Sequence, residues 1–526
     1  MKASIKTVFL FITGMVLFSC NSYLDINSNP NAATSSTPSL LLSSALAGTA
    51  SVLEQFNVVG VETGGYAANA GGYGGFNEFY TYAYTNSTFS GIWGAAYSNL
   101  ENYQVIVAST SNDASNIYFN AVANIMIVHD FQLLVDEYND VPYTTALSGL
   151  NNLTPVYDKG EDIYQHLAAQ LDAAIANINN GMAAAIAPAS IASSDVLFGG
   201  DMKSWIKLAN TLKLKLMVRA KGKVNFANTT FDPVGFLTED ALINPGYRRD
   251  NGRQNPKWDR WAWDYSGTAV TKSWMPSTWI LSFYDGTNLS DDSRGFVMYY
   301  QYSTGTAKIS NQLGFEKSTV PSCPDGTFWY SDANRDPGTA GSASGAMKGP
   351  DAGYPLITAA ESYFLQAEGA LKGISLPGSP TDAASFDKGI AASFQYLYSL
   401  PDGTQPIDSD YASDATDYQA TNAGNYLANY ALATTQDEKL EAIITQKYIA
   451  LNFIHSHEGW NEYRRTGYPS VTGSSATSTF ASIKSQSTRQ DKLPTRLLYP
   501  VTEARYNPVN TPQDISPFTS LIFWAK

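Results

Sequence analysis

Residues 440–469 read LEAIITQKYIALNFIHSHEGWNEYRRTGYP. Leu440, Ile444, Tyr448 and Leu451 recur every three or four positions and line one stripe of a helix. Glu438, Lys439, Glu441 and Lys447 fall mostly off that stripe, as an amphipathic surface helix requires. Beyond Gly459 stand Trp460, Tyr463 and Tyr468, with Arg464 and Arg465 wedged between the aromatics. The closing Thr466-Gly467-Tyr468-Pro469 is turn chemistry, Gly supplying free φ and Pro blocking continuation. A helix therefore delivers aromatic rings and two guanidinium groups to one point. The simplest reading is a structural knot, with rings buried and arginines bonded to carboxylates or backbone carbonyls.

The chain around this knot has 526 residues, enough for one large domain or a few ordinary ones. Its net charge is −14, from 33 basic and 47 acidic residues, which argues against a nucleic-acid partner. Charged residues make up only 15% while aromatics reach 13%. Such a composition suits neutral polar ligands such as sugars, and equally a large helical core.

At the N-terminus, Lys2 and Lys6 precede an apolar run over residues 8–18, too short to span a bilayer and shaped like a signal peptide. It ends Leu17-Phe18-Ser19-Cys20, which resembles the bacterial lipobox. Residues 1–19 are read as a lipoprotein signal peptide, Cys20 as the lipidated residue, and residues 20–39 as a polar tether. Cys323 is the other cysteine, so no disulfide framework is expected. Acyl chains such as palmitate on Cys20 would hold the chain on a membrane without crossing it.

Upstream of the knot, residues 40–59, 95–107, 115–138 and 161–178 all carry helical apolar spacing. Residues 64–93 are glycine-rich and read as irregular, so their many aromatics are not expected to share a regular core. No Gly-Lys-Ser/Thr follows them, which excludes a phosphate-cradling loop. Asp201 is placed to cap a helix over 202–220, with Trp205, Leu208, Leu212 and Leu216 inward and Lys207, Lys213 and Lys215 on a solvated face. Helical signal then fades over 226–353, a stretch holding six of the ten tryptophans: Trp258, Trp261, Trp263, Trp274, Trp279 and Trp329. Trp261, Trp263 and Tyr265 alternate as on one side of an extended segment. Residues 359–371 and 383–397 resume the helices. The acidic run Asp408, Asp410, Asp414 and Asp417 lacks the glycine of a calcium-binding loop.

The ordered motifs YLDINSNPNA (23–32), VDEYNDVPYTTAL (135–147), WIKLANTLKLKLMVRA (205–220), GYPLITAAESYFLQAEGAL (353–371), GWNEYRRTGYP (459–469) and RLLYPVTEARYN (496–507), behind a lipobox, together resemble the SusD/RagB family of nutrient-binding outer-membrane lipoproteins. Asn139 stands where that family more often has glycine. The resemblance implies a mainly α-helical fold of tetratricopeptide-like helix pairs, one domain over 40–526, with a long irregular ligand-binding segment over about 226–353. It also implies a location on the cell outer membrane, lipid-anchored and facing outward. The implied role is capture of a glycan or other oligomeric nutrient for a SusC-like TonB-dependent transporter.

Because sugar rings stack their C–H faces on aromatics while hydroxyls bond to polar groups, the expected site lies in the two irregular aromatic regions. Tyr73, Tyr80, Trp258, Trp261, Trp263, Trp274 and Trp329 are expected as stacking rings, with Asn77 and Arg260 as polar partners. The alternative is a lipid-anchored glycoside hydrolase, which needs two carboxylates at a defined separation; Glu54, Glu62 and Glu78 lie nearest the aromatic loop. His455, His457 and Glu458 lack the His-Glu-x-x-His spacing, and no Gly-x-Ser-x-Gly elbow occurs. No catalytic residue, metal or cofactor is expected.

Overall fold

The computed structural model describes residues 37–270, 272–300, 302, 309–315, 327–330, 344–406 and 409–526. Cys20, the signal segment, most of the tether, Cys323 and Asp408 lie outside the described residues. The long helix α1 (Pro38–Thr63) is followed by strand β1 (Ala67–Asn69), the short α2 (Asn77–Thr81), and the long α3 (Gly91–Ser109) and α4 (Ile117–Tyr138). Strands β2 (Val141–Pro142) and β3 (Tyr157–Asp158) lead to α5 (Gly160–Ala183) and α6 (Met202–Arg219). Among the described residues, the 226–353 region contributes β4 (Ala241–Ile243), α7 (Pro256–Trp261), β5 (Trp274–Pro276), α8 (Thr278–Leu281) and α9 (Asp292–Met298). Helices return after β6 (Tyr354–Ile357) as α10 (Ala359–Leu371), α11 (Asp382–Tyr398), α12 (Tyr411–Thr421), α13 (Gln436–Ala450), α14 (Ser456–Thr466) and α15 (Val501–Tyr506).

The fold is mainly α, as the motifs imply. Thr37 caps α1 by accepting from Leu40 N, and Pro38 occupies the first turn, where its missing N–H costs nothing. Helices α3 to α6 pack each on the next, α6 packs on α10, and α10 packs on both α11 and α13. The succession then closes on itself, because α14 packs on α1. Gly60 permits that closure: a Cβ there would fall inside the backbone of Ser456 and His457. Asn139 ends α4 at φ 67, a left-handed value that explains why glycine is at home there. Its side chain adds what glycine lacks, with Oδ1 accepting from Phe523 N at 2.6 Å.

The 440–469 stretch forms two helices and not one amphipathic surface helix. Thr435 and Glu438 make a reciprocal capping box at the start of α13. Phe453, at φ 61, turns the chain between α13 and α14, and Gly467, at φ 84, ends α14. Lys447 is buried rather than solvated, bonded to Glu462 at 2.8 Å. Lys213 and Lys215 are corrected in the same way. Both are buried, Lys213 on Asp172 at 2.6 Å and Lys215 on Glu361 and Glu458 at 2.9 Å each. Their helices are buried on nearly all sides over these stretches, so the lysines sit inside the protein with their charges paired.

The knot is structural, as read. Arg464 binds Glu137 at 2.8 Å and stacks its guanidinium on Trp460 at 3.7 Å from the ring centre. Arg465 binds Glu368 and Glu462, while Arg219 binds Asp136 and Glu458. Burial opposes ionisation of Glu458, but Arg219 and Lys215 outweigh it and hold the carboxyl well below the usual range. His455 is bonded to the Pro355 carbonyl at 2.8 Å, which gives that histidine a packing role.

A candidate ligand-binding cleft

Two antiparallel pairings lay the irregular segment across the helices. Ala67 pairs with Pro276 and Asn69 with Trp274, and Ile243 pairs with Tyr354. Between this segment and α1 lies a cleft of about 620 Å³. One wall is the face of α1 bearing Ser51, Glu54, Gln55 and Val58, whose spacing of three or four places them in line. Another is the turn into α7, bearing Gly252, Gln254, Pro256, Asp259 and Arg260. Phe89, Gly91, Ile92 and Val270 complete it.

Pro256 sets the first turn of α7 and the Asn255 side chain caps it, accepting from Lys257 N at 2.9 Å and Trp258 N at 3.2 Å. This turn points Lys257 and Trp261 inward. Lys257 Nζ reaches Glu54 Oε2 at 2.9 Å, and Trp261 Nε1 reaches Glu54 Oε1 at 2.7 Å. Tyr354 Oη donates to Glu54 Oε2 at 2.8 Å, and Asn57 Nδ2 lies 3.2 Å from Oε1. Glu54 is thus a buried carboxylate saturated with donors, and it pins α7 and β6 to α1. Burial pushes the Lys257 ammonium below its ordinary range, against the pull of Glu54.

Two turns along α1 from Glu54, Glu62 is buried and its Oε2 has no partner among the described residues. Burial pushes its carboxyl up to about 8, with Arg260 pulling the other way. Glu78, the third acidic residue near the aromatic loop, accepts from the Thr88 hydroxyl at 2.5 Å.

The residues expected to stack on ligand divide sharply. Trp258, Trp261, Trp263 and Trp329 are buried, as is Tyr80. Trp329 stacks on Phe453 at 4.2 Å, Trp261 lies 5.0 Å from Phe453, and Trp258 and Trp263 pair at 5.1 Å. Their faces are covered by other rings, so in this structure they are core and not a sugar platform. The period-two reading of Trp261 is also corrected, since Trp261 ends the helix α7. Tyr80 receives the Asn69 amide at 2.7 Å on its hydroxyl. Most aromatics of 64–93 are likewise buried, against expectation, because irregular backbone packs between helices as well as over them.

Four expected residues keep exposed surface: Tyr73, Asn77 and Arg260 are exposed, and Trp274 is half-buried. Trp274 packs on Phe76 at 4.4 Å and on Phe79 at 5.8 Å, and Phe79 packs on Phe89 at 5.9 Å. A half-buried run of rings, Trp274 to Phe79 to Phe89, therefore joins the aromatic loop to the wall of the cleft. Only Arg260 of the nine expected residues lines the cleft itself. Ser51, Gln55, Phe89, Gln254 and Asp259 escape a sequence reading. The α1 positions look like any core face, and Gln254 sits in a polar turn without a motif.

Two family descriptions match the chain: "Starch-binding associating with outer membrane" over residues 30–234, and "Susd and RagB outer membrane lipoprotein" over residues 331–518. No curated protein matches it. Among solved structures, a SusD homolog from Bacteroides fragilis is similar at 20% identity and TM-score 0.64, over 94% of this chain and 100% of its own. A chitin-binding SusD homolog from Flavobacterium johnsoniae is similar at 21% identity and TM-score 0.63, over 91% and 98% respectively. A SusD homolog from Bacteroides uniformis is similar at 20% identity and TM-score 0.62, over 92% and 99%. At such identities the likeness concerns the fold, and the site rests on its own geometry.

Proposed function

Because the chain belongs to the SusD/RagB family of outer-membrane lipoproteins, we propose that it binds a glycan or other oligomeric nutrient and hands it to a SusC-like TonB-dependent transporter. The observation that carries this reading is the cleft beside α1. It mixes apolar walls with fixed polar groups, the composition of a site for a neutral polar ligand. The run of half-buried rings ending at Phe89 offers a stacking path into it, with Tyr73 and Trp274 at its outer end and Asn77 and Arg260 as hydrogen-bonding partners. The chitin-binding relative supports a carbohydrate. Lipidation of Cys20 is the proposed anchor, with the protein facing outward.

Binding is favoured over glycoside hydrolysis by one specific feature. Of the two cleft carboxylates, Glu54 already accepts from Lys257, Trp261, Tyr354 and Asn57, which leaves Asp259 without the second free carboxylate that hydrolysis needs. A glycan array probed with the soluble chain lacking Cys20 tests the reading. Saturable binding to at least one oligosaccharide, without its cleavage, is expected; no binding to any glycan overturns it. Gentle detergent extraction of the full chain is expected to bring a large β-barrel protein with it, and repeated absence of that protein overturns the transporter role.

A further inference from the structure

Gln254 is 5% exposed and lines the cleft. Its Nε2 donates to Asp259 Oδ1 at 2.8 Å and to the Trp263 carbonyl at 3.1 Å. Both amide protons are therefore committed. The orientation is forced, because exchanging nitrogen and oxygen would set an oxygen against two acceptors. Gln254 Oε1 is left enclosed and without a partner among the described residues. A buried acceptor without a donor is destabilising, and a ligand N–H or O–H relieves it.

Two further features belong to the same cleft. Arg260 lies along the same turn, exposed, with a guanidinium that only donates. Val58, Phe89, Ile92 and Val270 give the same cleft an apolar lining. An acetamido group has three parts that match: an N–H that donates, a carbonyl that accepts and a methyl that prefers apolar contact. A hydroxyl offers no methyl. A free amine has neither a carbonyl nor a methyl, so it leaves Arg260 and the apolar wall unmatched.

We infer that the cleft selects sugars bearing an acetamido group, with Gln254 Oε1 taking the amide N–H, Arg260 the carbonyl and the apolar wall the methyl. The inference rests on the glycan-binding reading above and adds a chemical class and a specificity-determining residue to it. Gln254 Oε1 turns away groups that cannot donate, and by fixing the amide N–H it directs the carbonyl to Arg260 and the methyl to the apolar wall, neither of which a hydroxyl can use.

Calorimetry on the soluble chain tests it with three β-1,4-linked tetrasaccharides of matched length, built from N-acetylglucosamine, glucose and glucosamine. The acetamido oligomer is expected to bind at least about tenfold more tightly than either of the others. Gln254→Met is expected to reduce that preference to within about threefold. If Gln254→Met does not fold, Arg260→Ala and Val270→Ser, both at exposed positions, are each expected to narrow the preference at unchanged melting temperature. Equal affinity of the wild-type chain for the acetamido and hydroxyl oligomers, or an undiminished preference in every folded variant, overturns the selectivity and leaves glycan binding standing. Failure to bind any oligosaccharide overturns both.

Discussion

Arg465 and Glu368 meet through two parallel hydrogen bonds, Nη1 to Oε1 at 2.7 Å and Nη2 to Oε2 at 2.8 Å, with both side chains buried. This fork-on-carboxylate geometry ties α14 to α10, the two helices that flank α13. Removing Arg465 leaves the buried Glu368 with Lys372 alone, at 2.7 Å. Arg465→Met is expected to cost about 3–5 kcal/mol of stability. The double variant Arg465→Met/Glu368→Met is expected to recover part of that loss, because the Glu368 charge is removed with its principal partner. Urea unfolding of the four chains in this cycle checks both statements.

Two glycine replacements are expected to act in opposite directions. Gly60→Ala drives a methyl into the α14 backbone and is expected to destabilise by about 1–3 kcal/mol or more. Gly94, in the exposed part of α3, has nothing within 4 Å of a built Cβ. Gly94→Ala is expected to stabilise by about 0.5–1 kcal/mol through helix propensity. Thermal melts of the two variants against the parent chain decide it.

Glu62 makes stability depend on pH in a definite direction. Its carboxyl titrates at about 8 in the folded chain against an ordinary value of 4.5, so between these the folded state holds one proton more than the unfolded state. Stability contributed by this group is therefore complete below about 4.5 and falls as pH rises towards 8. Glu62→Gln is expected to be progressively more stable than the wild type across that window, and level above it. Unfolding free energies measured at several pH values for both chains provide the check; a constant difference refutes it.

The aromatic residues are expected to separate into two functional groups. Trp329→Ala and Trp261→Ala remove fully enclosed rings and are expected to cost about 3–5 kcal/mol of stability. Tyr73→Ala is expected to leave the melting temperature nearly unchanged, and Trp274→Ala to lower it modestly through lost packing on Phe76 and Phe79. Both are expected to weaken glycan binding by about 1–3 kcal/mol, by analogy with rings stacked on bases. Parallel melts and calorimetry distinguish the groups. Unaltered affinity in both surface variants would move the site away from the aromatic loop.

Cys20→Ala is expected to release the protein into the soluble fraction, because a single cysteine carries the proposed acyl anchor. Retention of the variant on membranes at the wild-type level counts against lipidation.

Much of the helical framework is legible because it depends on local rules. The spacing of Ile163, Leu167, Leu171 and Ile175 marks α5, and Asp201 marks the start of α6. Lys213, Lys215 and Lys447 mislead for a physical reason. Amphipathic reasoning sends charge to solvent, whereas these helices are buried on several faces: Lys215 and Lys447 join one ionic network and Lys213 pairs separately with Asp172. The tryptophans mislead for the converse reason. Irregular backbone suggests exposure, yet Trp261 and Trp329 fill the space over Phe453, which only tertiary contact reveals. Gln254 is hidden most completely. Its unmet acceptor exists only because Asp259 and the Trp263 carbonyl are folded onto its amide.

The seat of α14 on Gly60 has a bearing on when this chain can fold. An open stack of repeats can assemble from one end as it is synthesised, each new pair finding a finished neighbour. Here the first helix finds its last neighbour only when the stretch around Ser456 has been made. Until then α1 keeps an unburied flank, and no shorter nascent product owns a completed core. Completion of the core is thereby deferred until the stretch around Ser456 has been made.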